Sequence, residues 1–285
     1  MIIAQITDLH IGFDGKEEKC KNTVRFKTVL EEIKTQTAQP DLVLITGDLV
    51  ESGEDWAYEK LKTTLNDIQV PYYLALGNHD NREKFIKTFT DKHFSDGFLQ
   101  YTIEDWPLRI IVLDTLEVGK HGGGFCEARA KWLQKTLAEQ PDRPTLIALH
   151  HPPIKTGIAW MTIKEEDVWV SRLEEVLKPF DNVVHIICGH IHRNIFSHFA
   201  GSTLSVSLAV APQVKLDLGD IDPDVPDDRV LLTDGPSGYA LHHWNGSFIT
   251  SHSGSAPDGD PVIHYDEKHA FVVRHTMDLP PKDKK

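Results

Sequence analysis

No stretch of this chain approaches the roughly 20 consecutive apolar residues that a membrane-spanning helix needs. Its first ten residues run straight into an apolar strand with a polar end, not the basic-then-apolar pattern of an export signal. Cysteine is scarce. Cys20, Cys126 and Cys188 are three, an odd number and far apart, so the expectation is reduced thiols in a reducing compartment, by default the cytoplasm. Basic charge is also short: 30 Lys and Arg against 43 Asp and Glu leave a formal net charge of −13. Such a surface repels polyanions and disfavours nucleic acid as a partner. Small phosphate substrates stay open, because bound divalent cations reverse the local field. Internal repeats and a Gly-, Ser- or Pro-rich dividing linker are missing too, while 285 residues at 40% hydrophobic content can bury a sizeable core.

What is present is an alternation of apolar runs and amphipathic stretches. Residues 2–7 read as a strand ending in Asp8-Leu9-His10, followed by a helix with Val24, Val29, Leu30 and Ile33 on its apolar stripe. The run DLVLITGDLV, Asp41–Val50, reads as a strand buried on both faces that turns at Gly47 and presents Asp48. A second helix carries Trp56, Leu61, Leu65 and Ile68, and a third strand, Tyr72–Leu76, ends in Gly77-Asn78-His79-Asp80. Farther on, Thr145–Leu149 ends in His150-His151-Pro152-Pro153 and Val183–Cys188 ends in Gly189-His190-Ile191-His192. This is the grammar of an α/β protein with parallel strands.

After residue 192 the pattern changes to two hairpins, turning at Ala200-Gly201 and Asn245-Gly246. The acidic stretch Asp217–Asp234 between them is either a solvated excursion or a homo-oligomer contact. The division expected is a catalytic core over 1–210, a hairpin and loop extension of the same domain over 211–277, and a flexible tail over 278–285. His121 is a solvent-exposed loop histidine or one that reaches the site, and Trp160-Met161 is a substrate wall or a core cover. His242, His243, His252, His264 and His269 lack the strand-end placement and are taken as structural.

The strand ends carry the chemistry. Period-2 geometry sets Asp8 and His10 on one face, a hard oxygen beside an imidazole that suits a first-row divalent metal, or else a helix-capping Asp and a surface His. His190 and His192 repeat that spacing. Asn78 is a neutral oxygen donor, His79 can deliver a proton near neutral pH, and Asp80 could hold its tautomer. With right-handed crossovers, successive parallel strands bring their ends to one edge of a sheet. Asp8, His10, Asp48, Asn78, His150, His190 and His192 then make seven metal-capable side chains, enough for two divalent cations roughly 3.5 to 4 Å apart with a shared carboxylate.

The ordered set D-x-H, G-D, G-N-H-D, H-H-P-P and G-H-x-H spans residues 8–192 and resembles the calcineurin-like metallophosphoesterase superfamily. LHHPP, GNHD followed by Arg82, and LRIIVLDT are similar, more narrowly, to class III cyclic-nucleotide phosphodiesterases and related glycerophosphodiesterases. The resemblance implies a four-layer α/β/β/α sandwich, two divalent ions (Fe, Mn or Zn), and Asp48 as their bridge. Asp8, His10 and His192 would serve one ion, Asn78, His150 and His190 the other, with His151 standing behind them. His79 would protonate the leaving alkoxide, oriented by Asp80. Arg82 would contact a non-bridging oxygen or sit in an ion pair. The implied activity is hydrolysis of a small phosphodiester, cAMP first, with a glycerophosphodiesterase or broad-specificity enzyme as the alternative. A metal-free scaffold of the same fold is set against by the intact donor set.

Overall fold

In the computed structural model, which describes residues 1–15, 20–90, 94–164 and 167–279, the apolar runs become short strands and the amphipathic stretches become helices. The order begins β1 (Ile2–Ile6), α1 (Lys21–Lys34), β2 (Leu42–Thr46), α2 (Asp55–Leu65), β3 (Tyr72–Ala75) and α3 (Arg82–Thr88). It continues β4 (Tyr101–Ile103), β5 (Arg109–Val112), α4 (Glu127–Glu139), β6 (Thr145–Ala148), α5 (Val168–Leu177) and β7 (Val183–Cys188). Then come β8 (Ile195–Phe199), β9 (Ser202–Val206), β10 (Gln213–Val214), β11 (Leu232–Thr233), β12 (Ser237–Trp244), β13 (Ile249–Ala256) and α6 (Ala270–Thr276).

Two main sheets form where the pattern of strand ends predicts one edge. The first has the order β13-β12-β1-β2-β3 and the second β4-β5-β6-β7-β9-β8. β1, β2 and β3 are parallel, as are β5, β6, β7 and β9. The break comes at β4, which lies antiparallel to β5 and opens the second sheet. Parallel neighbours within each sheet are joined by crossovers, but nothing in a strand's own residues says which sheet it joins.

Alternating side chains assemble the layers. Ile3, Leu42, Leu44 and Ala75 of the first sheet meet Ile110, Val112, Leu146, Ala148 and Ile187 of the second. On its other face the first sheet presents Ala4, Ile6, Val43, Ile45 and Leu74 to α1 and α2, while Ile111, Ile147 and Ile186 pack against α4 and α5. The result is helices, sheet, sheet, helices, and strands buried on both faces need their continuous apolar runs. Each fully buried Ile, Leu or Val contributes about 1.5–3 kcal/mol. On α1 the buried stripe is Phe26, Val29, Leu30 and Ile33, whereas Val24, two residues before Phe26 and so on the far side, is 52% exposed.

The C-terminal hairpin extends the first sheet, with β12 antiparallel to β1. Its turn is wider than Asn245-Gly246 alone predicts. Trp244 pairs with Ile249, and the Asn245 side chain accepts hydrogen bonds from the Ser247 and Phe248 amides, holding a four-residue loop. The acidic stretch is not wholly loop: β11 pairs with β10, and Asp234 forms an ion pair with Arg25. Most of the expected tail, residues 280–285, lies outside the described residues. No helix among the described residues is long and apolar enough to cross a membrane.

Candidate metal centre

The segments just after β1, β2, β3, β6 and β7 converge between the ends of the two sheets. His150 Nε2 lies 3.2 Å from an Asp48 oxygen and 3.9 Å from Asp8. His192 Nε2 is 3.4 Å from Asp8 and 3.2 Å from His10 Nε2, which is itself 3.5 Å from Asp48. Asp8-His10-His192, Asp8-Asp48-His150, His10-Asp48-His79 and His150-His151-His190 each bring their donor atoms close enough to hold a cation.

Period-2 strand geometry is not what aims these side chains. β1 ends at Ile6 and β7 at Cys188, and the donors stand on the turns beyond. Asp8, His10, Asp48, His190 and His192 all have positive φ, between 45° and 73°. Left-handed backbone on non-glycine residues costs roughly 1–3 kcal/mol each and persists only where surrounding structure imposes it. Here the Asp8 amide bonds Gly47 O and the His10 amide bonds Asp48 O, locking the β1 and β2 turns together, while the His190 amide donates to the Asp8 carboxylate at 3.0 Å. Two glycines make room. A Cβ on Gly77 would stand 2.2 Å from Asp48 Oδ1, and one on Gly189 would stand 2.0 Å from Thr7 Oγ1.

The imidazoles are held with one nitrogen facing inward. Nδ1 of His150 bonds the Thr46 carbonyl, Nδ1 of His192 the Pro212 carbonyl, and Nδ1 of His10 the Glu51 carboxylate at 2.6 Å. With the proton on Nδ1 in each case, Nε2 is left as a lone-pair donor. His150 Nε2 is fully buried and has no hydrogen-bond partner. Burial favours the neutral ring, yet the Asp48 and Asp8 carboxylates outweigh it and push His150 up to about 9. Burial likewise works to raise Asp48, but His150, His10 and His79 around it hold it well below the usual carboxylate range. The carboxylates favour positive charge at the inward nitrogens; a proton supplies it on His150, and a divalent cation would supply it to the whole set while taking the lone pairs. His190 and His151 are lowered well below the ordinary histidine value by burial and by neighbouring imidazoles, so both rings stay neutral.

Asp80 and Arg82 sit differently from their sequence assignments, whereas Asn78 and His79 border the donors. The Asn78 amide oxygen is 3.2 Å from His151 Nε2. His79 reaches the centre, with its amide donating to Asp48 Oδ1 at 2.9 Å and its Nδ1 bonded to the Glu51 carbonyl. Asp80 does not orient that ring. Its carboxylate accepts from the Gly77, Leu49 and Val50 amides and the Tyr58 hydroxyl, and burial together with the Asp48 charge raises it to about 7. Arg82 does not face substrate space freely: Nε and Nη2 form a bidentate pair with buried Asp114 at 2.7 Å, and Nη2 also bonds Leu116 O. An Arg whose fork is already matched has little left for a phosphoryl oxygen.

His121 lies in an exposed loop, yet its ring centroid is 4.7 Å from that of His190 and 6.5 Å from that of His79. Both expectations for it therefore hold at once. Trp160 and buried Met161 line a recess of about 220 Å³ together with Asp48 and His79. Glu51, which serves both His10 and His79, is the residue that sequence reasoning passes over. Its only signal is its place three residues after Asp48.

The family model for calcineurin-like phosphoesterases matches residues 1–194. A probable glycerophosphodiester phosphodiesterase of Arcobacter nitrofigilis is 33% identical over 281 residues, covering 95% of this chain and all of that protein. A 3′,5′-cyclic adenosine monophosphate phosphodiesterase of Escherichia coli is 31% identical over 216 residues, covering 75% of this chain and 77% of its own length. Among solved structures, a dimetal phosphatase from Danio rerio superposes with a TM-score of 0.62 at 15% identity, over 93% of this chain and 99% of that one, a likeness of fold.

Proposed function

The chain belongs to the calcineurin-like phosphoesterase family, and on that premise we propose that it is a metal-dependent phosphodiesterase acting on 3′,5′-cyclic nucleotides, cAMP first. The observation that carries the reading is His150 Nε2, buried without a hydrogen-bond partner and 3.2 Å from Asp48. Asp8, His10 and His192 would hold one cation, Asn78, His150 and His190 the other, with Asp48 between them. Fe, Mn or Zn all accept this nitrogen and oxygen set. When bound, the pair supplies Lewis-acid neutralisation of the phosphoryl oxygens and a water acidified towards neutral pH.

The chain's own residues do the rest. Glu51, Thr46 and Pro212 keep the three imidazoles in the donor tautomer. His79 Nδ1 is taken by the Glu51 carbonyl, so its Nε2 is the atom that passes a proton to the leaving alkoxide. Trp160 and Met161 wall the substrate space. A wide cavity of about 990 Å³ beside the donors suits a nucleoside. The second reading, a glycerophosphodiester substrate, is favoured by the relative that matches 95% of the chain. The three free cysteines fit a reducing cytoplasm.

The test is turnover after Mn²⁺ reconstitution on cAMP, a glycerophosphodiester, an aryl diester and an aryl monoester, with wild type beside Asp48→Ala. Diesters should turn over faster than the monoester, and Asp48→Ala should lose both activity and metal. No hydrolysis of any ester would remove the enzyme reading, and a monoester outrunning every diester would remove the phosphodiesterase one. A glycerophosphodiester preferred over cAMP selects the second reading. Asp48→Ala retaining both ions would break the bridging assignment.

A further inference from the structure

The cavity of about 990 Å³ shares His121, His190, Trp160 and Met161 with the recess over the metal donors, so a ligand held at the centre can extend one arm into it. Its charge is unlike that of the molecule. On a chain of net charge −13, the described residues lining this cavity include Lys120, Arg129, Lys164 and Arg172 beside the carboxylates of Glu117 and Asp167. Arg129 is consumed by the Asp114 and Leu116 carbonyls and by Glu117. Asp167 accepts the Lys164 backbone amide at 2.7 Å. The side chains of Lys120, Lys164 and Arg172 form no ion pair among the described residues. Arg172 is held in the wall, with Nη1 donating to the Phe125 carbonyl at 2.6 Å, Glu127 acting on its charge through space, and no further hydrogen bond to its fork among the described residues.

Cations left unmatched around a concave space on an acidic protein focus a positive potential there, and an anchored guanidinium fork matches a phosphate in two hydrogen bonds. We propose that this cavity is a subsite for a second phosphate on the substrate, carried by a nucleoside-sized ester arm, with Arg172 as the fixed contact and Lys120 and Lys164 as the mobile ones. The inference rests on the phosphodiesterase reading and extends it. cAMP carries a single phosphate, which the metal centre takes, and would leave Arg172 unused. A diester whose arm bears a further phosphomonoester would engage both places.

Two compounds with the same reacting bond and leaving group isolate this: thymidine 5′-(p-nitrophenyl phosphate) and its 3′-phosphorylated form. The added phosphate should raise kcat/KM in the Mn²⁺-loaded wild type by about tenfold, mainly through KM, as expected for charged hydrogen bonds partly screened by salt. In Arg172→Gln the ratio for the two compounds should fall close to one, and Arg172→Lys should keep part of it. A ratio within one preparation does not depend on how much of it is folded or metal-loaded. Equal kcat/KM for the two compounds in wild type, or a ratio untouched by Arg172→Gln, would overturn the subsite. If neither compound is hydrolysed, the phosphodiesterase reading fails separately. Calorimetric binding of thymidine 3′,5′-bisphosphate against thymidine 5′-monophosphate still decides the subsite, which is wrong if the second phosphate brings no gain.

Discussion

Asp80 accepts a hydrogen bond from the Tyr58 hydroxyl at 3.1 Å and none from the imidazole of its neighbour His79. It is a brace for the turns after β2 and β3, while the Glu51 carbonyl sets the His79 ring. The two residues should therefore fail in different ways. His79→Ala should lower kcat by about 10²–10⁴ on alkyl diesters, whose leaving groups need a proton, and far less on p-nitrophenyl diesters. Tyr58→Phe should cost about 1–3 kcal/mol in urea unfolding with little change in that leaving-group dependence. An equal loss on alkyl and aryl diesters in His79→Ala would deny it the role of proton donor.

Gly77 has no room for a side chain, because an added Cβ would stand 2.2 Å from Asp48 Oδ1 and 2.7 Å from His150 Nε2. Displacing those donors by an ångström should lower kcat/KM by about 10²-fold in Gly77→Ala and reduce bound metal measured by mass spectrometry. Gly259→Ala, whose Cβ would meet nothing within 4 Å, is the matched control and should change neither. Full metal content in Gly77→Ala would show that the turn relaxes without moving the donors.

Arg82 and buried Asp114 form a two-bond pair, and Asp114 also accepts the Leu99 and Leu116 amides. Removing the guanidinium leaves a buried carboxylate unpaired. Arg82→Ala should lose about 3–5 kcal/mol in chemical denaturation, with KM unchanged in the protein that stays folded. A raised KM at undiminished stability would return Arg82 to the substrate.

Between the sheets, burial holds His185 down to about 4 and His242, with His185 and His252 nearby, down to about 3. Gln5 donates to Thr46 and to the Cys188 carbonyl, so its oxygen must accept the His242 Nε2 proton, and Ser251 bonds Nδ1. The network is complete with neutral rings. In the unfolded chain both titrate near the ordinary 6.5. Below that pH the unfolded state binds more protons, so stability is full above 6.5 and is lost as pH falls towards 4, by up to about 1.4 kcal/mol per pH unit for each ring. Urea midpoints between pH 7 and 5 should drop less steeply in His242→Gln than in wild type. Identical slopes would show that other groups, such as the buried carboxylates, carry the acid sensitivity.

Asp8, Asp48, Asn78 and His150 could be singled out in the sequence because each follows an apolar run, and a run buried on both faces must end at a polar turn where the sheet meets solvent. That rule is local, and it also placed β1, β2, β3, β6 and β7. It could not divide the strands between two sheets, since Leu44 and Leu146 are equally apolar and meet only across the inter-sheet core. Nor could it find the left-handed turns at Asp8, His10, Asp48, His190 and His192, which look in sequence like simple continuations of extended strands.

The sequence by itself determined the order and chemical type of the donors, the α/β alternation and the resemblance those motifs carry, because each is written within a few residues. Only the tertiary structure decided where the supporting bonds go. The His190 amide finds Asp8 across 182 residues, Arg82 finds Asp114 rather than substrate space, and Glu51 serves two histidines 41 and 28 residues away. Such pairings depend on which elements pack together, and no local pattern encodes that. The Gly-Asp turn at Asp48 is therefore legible as a motif, while its position among His10, His79 and His150 is a property of the fold.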